Sequence, residues 1–170
     1  KHHQMEFRLG ETVAPLKVTG KTERRGTEVH FMPAKEIFGR IEYHYEILAK
    51  RLRELAFLNS GLRIFLIDQR TGKEEKFAFT GGVKGFVEYI NRSKNVLHPR
   101  VFHAIGEKDG TTVEIAMQWN DSYTETIYSF ANNINTHEGG THLTGFKSAL
   151  TSVINKHLDK SSFAKKDKEV

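Results

Sequence analysis

Hydrophobic positions along this chain recur at two periods, and the change from one to the other separates its elements. Thr27, Val29 and Phe31 alternate with Glu28 and His30, the two-residue period of a strand with one buried face, and Pro33 ends the run. Extended runs over residues 4–9 and 16–19, broken by turns at Gly10 and Gly20, are expected before it. From Ile41 the period lengthens: Ile41, Tyr45, Leu48, Leu52 and Leu55 follow at spacings of four, three, four and three, one stripe of a helix. Leu52 lies mid-stripe and is expected to be fully buried, whereas Glu46, Lys50 and Glu54 sit one turn apart on the wetter side. Asn59-Ser60-Gly61 stops the helix, with Gly61 suited to a left-handed backbone.

A hairpin follows over 62–68 and 75–79, turning through Arg70-Thr71-Gly72-Lys73. Gly81-Gly82 opens a second helix with Val83, Phe86, Val87 and Ile90 apolar, ending before Pro99. Strands are predicted over 101–105 and 113–119, joined across Lys108-Asp109-Gly110, with Val113, Ile115, Met117 and Trp119 on one face; a third over 125–131 extends this meander. Gly139-Gly140 leads into a long helix carrying Leu143, Phe146, Leu150, Val153, Ile154 and Leu158. The body from Ile41 to Leu158 therefore reads as α+β, one sheet with helices packed against it.

Composition narrows the possibilities. With 170 residues, 38% hydrophobic and 28% charged, the chain suits one compact domain with a short appendage. No apolar run approaches the roughly 20 residues that span a bilayer, and a cytoplasmic location is expected. Cysteine is absent, so stability must come from packing. A formal charge of +5 permits attraction to a polyanion without demonstrating it. Much of the excess sits near the end, in Lys160, Lys165, Lys166 and Lys168, which reads as a solvated tail or cut linker.

Familiar catalytic signatures are missing: no phosphate-binding Gly-Lys-Ser/Thr loop, no nucleophile elbow, no paired helical histidines flanking a glutamate. The nine histidines are scattered, and only His137 and His142, around a glycine pair, come near a cluster, so no metal site is assigned. The segment Thr136-His137-Glu138-Gly139-Gly140-Thr141-His142 lets backbone approach an anion or another chain; it equally describes a tight turn into a helix that Thr141 could cap. Arg24-Arg25-Gly26-Thr27 is a basic turn opening a strand, and Asn120-Asp121-Ser122-Tyr123 reads as a hairpin turn.

One long block carries more than periodicity does. Residues 45–61, from Tyr45-Glu46-Ile47-Leu48-Ala49-Lys50 through Arg51-Leu52-Arg53-Glu54-Leu55 to Asn59-Ser60-Gly61, closely resemble a signature helix of the DNA gyrase B family. Three more blocks agree in order: Gly81-Gly82 with Phe86-Val87-Glu88-Tyr89; Gln118-Trp119-Asn120-Asp121; and Phe130-Ala131-Asn132-Asn133-Ile134 running into Glu138-Gly139-Gly140-Thr141-His142 and Gly145-Phe146. The close alternative, the B-subunit of topoisomerase IV, shares most of them.

The resemblance implies an organisation and a set of roles. Residues 1–33 correspond to the last strands of a GHKL-type ATP-binding domain, 34–160 to a transducer domain with the fold of ribosomal protein S5 domain 2, and 161–170 to a Lys-rich tail cut before a lysine-bearing loop. Gly26, Thr27 and Val29 match the family strand whose threonine helps hold adenine, a remnant nucleotide contact. Lys147 matches a basic residue facing the DNA passage. The water-activating glutamate, magnesium-binding asparagine, adenine-binding aspartate and glycine-rich lid precede Lys1 in the family, and the lysine-bearing loop follows Val170. No catalytic residue is thus expected in this stretch, which alone should not turn over ATP. The implied whole is an ATP-dependent type II DNA topoisomerase, DNA gyrase, using ATP and Mg2+ and working on DNA with gyrase A and a second copy of gyrase B. The residues alone leave open a stand-alone nucleic-acid-binding module or a purely structural domain.

Overall fold

The computed structural model describes residues 1–160, so the Lys-rich tail expected over 161–170 lies outside the described residues. Two compact units are present, Lys1–His44 and a second beginning at Tyr45.

In the first unit β1 (His2–Arg8) and β2 (Glu11–Gly20) form an antiparallel ribbon, the extended runs and turn foreseen around Gly10. Its two turn residues, Leu9 and Gly10, have φ of 52° and 87°, the left-handed pair a two-residue hairpin connection requires. A single helical turn, α1 (Lys35–Phe38), follows later. The strand expected across Thr27, Val29 and Phe31 is not formed: residues 24–34 have neither helix nor strand, and Val29 and Phe31 are 77% and 69% exposed. The alternation is real, but a strand persists only when a neighbour takes up its backbone groups, and no described residue pairs with this segment.

The second unit is built on α2 (Tyr45–Leu58), laid against the hairpin of β3 (Arg63–Asp68) and β4 (Lys73–Ala78). The helical period was legible, but the buried side is rotated from the expected stripe. Ala49 and Ala56 are buried with Phe77 of β4, and Tyr45 and Leu52 pack against them half-buried, whereas Leu48 is exposed. The two alanines let the helix come close to the hairpin, and their small side chains hide which face is inward. The expected wet side is corrected too. Glu54 is buried and pairs with Arg51, and Glu46 reaches Lys73 instead of Lys50. Gly61 takes φ 86°, the left-handed stop foreseen after this helix.

An aromatic run joins α2 to α3 (Gly82–Asn91). Phe57 stacks on Phe79 with centroids 3.8 Å apart and meets Phe86 at 5.3 Å and Tyr89 at 5.5 Å. Phe86 then meets Tyr128 edge-on at 5.1 Å. Arg53 lies over the rings of Phe77 and Tyr89 while its guanidinium bonds Glu75 at 2.6 Å, which ties helix to hairpin.

β5 (Phe102–Lys108) and β6 (Thr111–Met117) pair across Asp109-Gly110, as expected. The third meander strand does not appear. Only β7 (Phe130–Ala131) pairs, with β8 (Ile134–Asn135), as a hairpin of its own across Asn132-Asn133, both at positive φ. Among the described residues the strands form four two-stranded ladders and not the one sheet expected, because each hairpin pairs only with itself; with the helices they make the α+β class that periodicity indicated. α4 (Thr141–Lys160) buries none of its residues; Leu143, Phe146 and Leu150 of its apolar stripe are half-buried, and Val153 and Ile154 are exposed.

Candidate functional site

Segments that stood out in sequence are held together by hydrogen bonds between side chains and from side chains to backbone. Arg51 on α2 gives one guanidinium nitrogen to the Glu54 carboxylate at 3.1 Å and the other to the carbonyl of Asn133, 2.7 Å away in the β7–β8 turn. Asn133 in turn donates to Asn59 at 2.9 Å, at the far end of the same helix. The turn is therefore clamped at two points along α2, and its left-handed asparagines sit where short polar side chains tolerate that backbone.

A second clasp holds residues 91–98 against 118–121. Buried Asn91 donates to Gln118 and accepts from Asn120, each at 3.0 Å, and the Gln118 amide donates to the carbonyl of His98 at 3.0 Å. Asn95 donates to the Asp121 carboxylate at 3.2 Å, so the acid that sequence alone left without a role closes this clasp. Residues 120–124 do not connect two strands. Asn120 folds its own chain by accepting from the N–H and hydroxyl of Ser122, and makes an isolated bridge to Val96.

The glycine pair before α4 forms the third. Gly139 and Gly140 have φ of 86° and 94°, left-handed values that explain two adjacent glycines. A Cβ on Gly139 would also press on Leu143 at 3.0 Å. Buried Ser129 collects this turn: its hydroxyl lies 2.7 Å from His142 Nε2, accepts from Thr136 Oγ1 at 2.8 Å, and reaches the Gly139 carbonyl at 3.2 Å. His142 is thus a structural partner of Ser129, and His137 does not join it. Sequence reasoning missed Ser129 because a serine inside a predicted strand gives no signal. The start of the helix is secured by Thr144, which donates its N–H and hydroxyl to the Gly140 carbonyl, and among the described residues no hydrogen bond from the Thr141 side chain is found. Beside this turn runs a groove of about 850 Å³ between α2 and residues 125–139, lined among others by Lys50, Arg51, Glu125 and His137.

Lys147 projects from α4 with its side chain about half exposed and its ammonium 3.4 Å from the carboxylate of Glu125. Such a surface pair contributes little to stability. Around it, Ser148, Thr151, Ser152, Asn155, Lys156 and Asp159 line a shallow open surface on the helix. In the first unit Gly26, Thr27 and Val29 are exposed, and no hydrogen bond from a described residue engages the Thr27 hydroxyl. Among the described residues, no strand ladder includes these three. Among the described residues no group of three His, Asp or Glu side chains is close enough to hold a metal, and no helix is long and apolar enough to cross a membrane.

Comparison with known proteins gives these features a family. A family model described as DNA gyrase B matches residues 82–170. The DNA gyrase B protein of Myxococcus xanthus is 48% identical over 98% of this chain, which covers 20% of that protein. The one from Halalkalibacterium halodurans is 51% identical over 97% of this chain and 26% of its own length. The chain therefore spans between 20% and 41% of the length of the curated relatives it matches. Among solved structures, the 43K ATPase domain of Thermus thermophilus gyrase B, in complex with an aminocoumarin, superposes with a TM-score of 0.76 at 38% identity, covering 94% of this chain and 44% of that one. The B-subunit of the Myxococcus xanthus gyrase gives 0.76 at 27% identity, over 91% of this chain and 46% of that one.

Proposed function

Since this chain belongs to the DNA gyrase B family, we propose that it is the stretch of the ATP-operated subunit of a type II DNA topoisomerase that couples ATP binding and hydrolysis to DNA strand passage. The observation that carries this reading is the agreement of sequence and fold along nearly the whole chain, 48% identity to one family member and a TM-score of 0.76 to another. Residues 1–33 are assigned to the end of the ATP-binding domain, 34–160 to the transducer, and 161–170 to the approach to a lysine-bearing loop. The division of the molecule between His44 and Tyr45 is compatible with two parts of different role.

Coupling needs an element that moves as one piece, because a soft body dissipates a displacement instead of passing it on. The second unit has the means to be stiff. Its aromatic run from Phe57 to Tyr128 and the clamps at Asn133, Asn91 and Ser129 leave the family blocks few ways to shear past one another. In this reading the blocks that resemble the family serve to hold the unit together, through hydrogen bonds at Arg51, Asn120 and His142 and ring contacts at Phe86 and Tyr89.

In this reading Thr27 offers one hydroxyl and Val29 one apolar wall to adenine, with Gly26 allowing close approach, and Lys147 faces DNA. ATP and Mg2+ belong, in this reading, to the whole enzyme, as do gyrase A, a second copy of gyrase B and a cytoplasmic setting. The test is a graft. This chain replaces the matching stretch of Myxococcus xanthus gyrase B, and ATP-dependent supercoiling is measured with the cognate gyrase A. Retained supercoiling is expected; a graft that folds and hydrolyses ATP yet never supercoils DNA would overturn the coupling role.

A further inference from the structure

α4 is held to its unit mainly at its start. It buries none of its residues and has no extended packing against another described element. Its first turn, however, is tied to the segment before it. Ser129 bonds His142 and the Gly139 carbonyl and accepts from the Thr136 hydroxyl, so residues 129–142 and the helix start form one hydrogen-bonded piece. α2 faces this piece across the groove of about 850 Å³, with Ile47, Lys50 and Glu54 on one wall and Ile127, Asn135 and His137 on the other.

The groove is bridged at one residue. Among the described residues, both hydrogen bonds that join α2 and its terminal Asn59 to residues 125–142 end on Asn133: the carbonyl accepts from Arg51 at 2.7 Å and the amide donates to Asn59 at 2.9 Å. Arg51 and Asn59 are eight residues apart, about 12 Å along the helix axis. Two attachments so spaced resist rotation of the turn as well as its separation from α2. Asn133 holds its place at φ 66°, a left-handed backbone that few other side chains tolerate and that aims both groups. The other link from this piece, Tyr128 edge-on to Phe86, reaches α2 only through α3 and lacks the directionality of a hydrogen bond. In the coupling reading, on which this inference rests, ATP is held by the part of the molecule that ends at His44, α2 begins at the next residue, and DNA is met on α4. A displacement of α4 then reaches α2 through residues 129–142 and across Asn133. We propose that Arg51 and Asn133 are positioning residues for coupling: they touch neither nucleotide nor DNA, and they fix the start of α4 to α2 so that the two shift together.

The test measures ATP turnover of the full-length enzyme, with and without duplex DNA, for the unchanged protein, Asn133→Gly and Arg51→Lys. Asn133→Gly keeps the left-handed turn and its carbonyl but removes the amide bond to Asn59. Arg51→Lys keeps a cation for Glu54, but one ammonium nitrogen cannot span both acceptors as the guanidinium fork does. Each variant is expected to leave DNA-free turnover unchanged and to lower the DNA-stimulated part about threefold, within the range that residues lying between two coupled sites carry. A loss shared equally by the two parts would make the clamp merely structural and overturn the proposal, as would DNA stimulation kept in full by either variant. In both of those results the unchanged enzyme still responds to DNA, so the coupling reading stands. An unchanged enzyme that DNA does not stimulate would overturn that reading and the proposal with it.

Discussion

The backbone N–H of Trp119 donates to Nε2 of His98 at 3.1 Å, while Nδ1 of the same ring lies 2.7 Å from the carbonyl of Arg100. Only one arrangement of protons satisfies both: Nε2 offers its lone pair and Nδ1 carries the hydrogen. The tautomer that fits both contacts is therefore Nδ1–H. Nitrogen-15 NMR of the ring should show a protonated Nδ1, and His98→Leu should speed amide exchange at Trp119, Leu97 and Asp121, which close the same clasp. A ring protonated at Nε2 would contradict this geometry.

The buried carboxylate of Glu54 depends on Arg51, which also holds the Asn132-Asn133 turn. Removing the arginine leaves a buried carboxylate without its ion-pair partner, so Arg51→Met should destabilise by about 3 kcal/mol. Replacing both, Arg51→Met with Glu54→Leu, should recover a good part of that loss. Urea midpoints decide it; a single-variant loss below about 1 kcal/mol would mean the pair behaves as a surface bridge.

Asp68 should set an acid limit on the β3–β4 turn. The Arg70 side chain, bonding both carboxylate oxygens at 2.9 and 2.7 Å, and the Arg70 N–H draw its carboxyl from 3.8 down to about 2. A carboxyl lowered on folding favours the folded state above its ordinary value, and that contribution is lost as pH falls from about 4 to about 2. Carboxyl carbon-13 shifts should titrate near 2 in the unchanged chain and near the ordinary value in Arg70→Ala. Equal midpoints in the two would remove the turn from the acid response.

Core substitutions should rank by the burial the structure shows and not by the sequence stripe. Phe77 is fully buried, so Phe77→Ala should cost about 3–5 kcal/mol. Leu52, placed at the centre of the expected stripe, is only half-buried, and Leu52→Ala should cost about 1–2 kcal/mol, below the range for a fully buried leucine. Denaturant melts giving the reverse order would restore the stripe.

Those two residues show how far sequence could go. Periodicity marked α2, α3 and α4 and the hairpins β3–β4 and β5–β6, because a helical stripe and a Gly-containing turn are local signals. It failed where the answer depends on what lies opposite. The phase of α2 is set by contact of Ala49 and Ala56 with Phe77, and alanine carries almost no hydrophobic signal. The run at Thr27, Val29 and Phe31 alternates like a strand but lacks a neighbour to pair with among the described residues. At the candidate site the resemblance singled out Lys147, whereas its partner Glu125 and the buried hub Ser129 were invisible, since a contact across 22 residues or a satisfied serine leaves no pattern in one sequence.

The coupling role is tested most directly by ATP turnover of the full-length enzyme carrying Lys147→Glu, with and without duplex DNA. The account predicts basal turnover unchanged and the DNA-stimulated part reduced, because the charge reversal acts only where DNA is met. Equal loss of both parts, or no change in either, would contradict it.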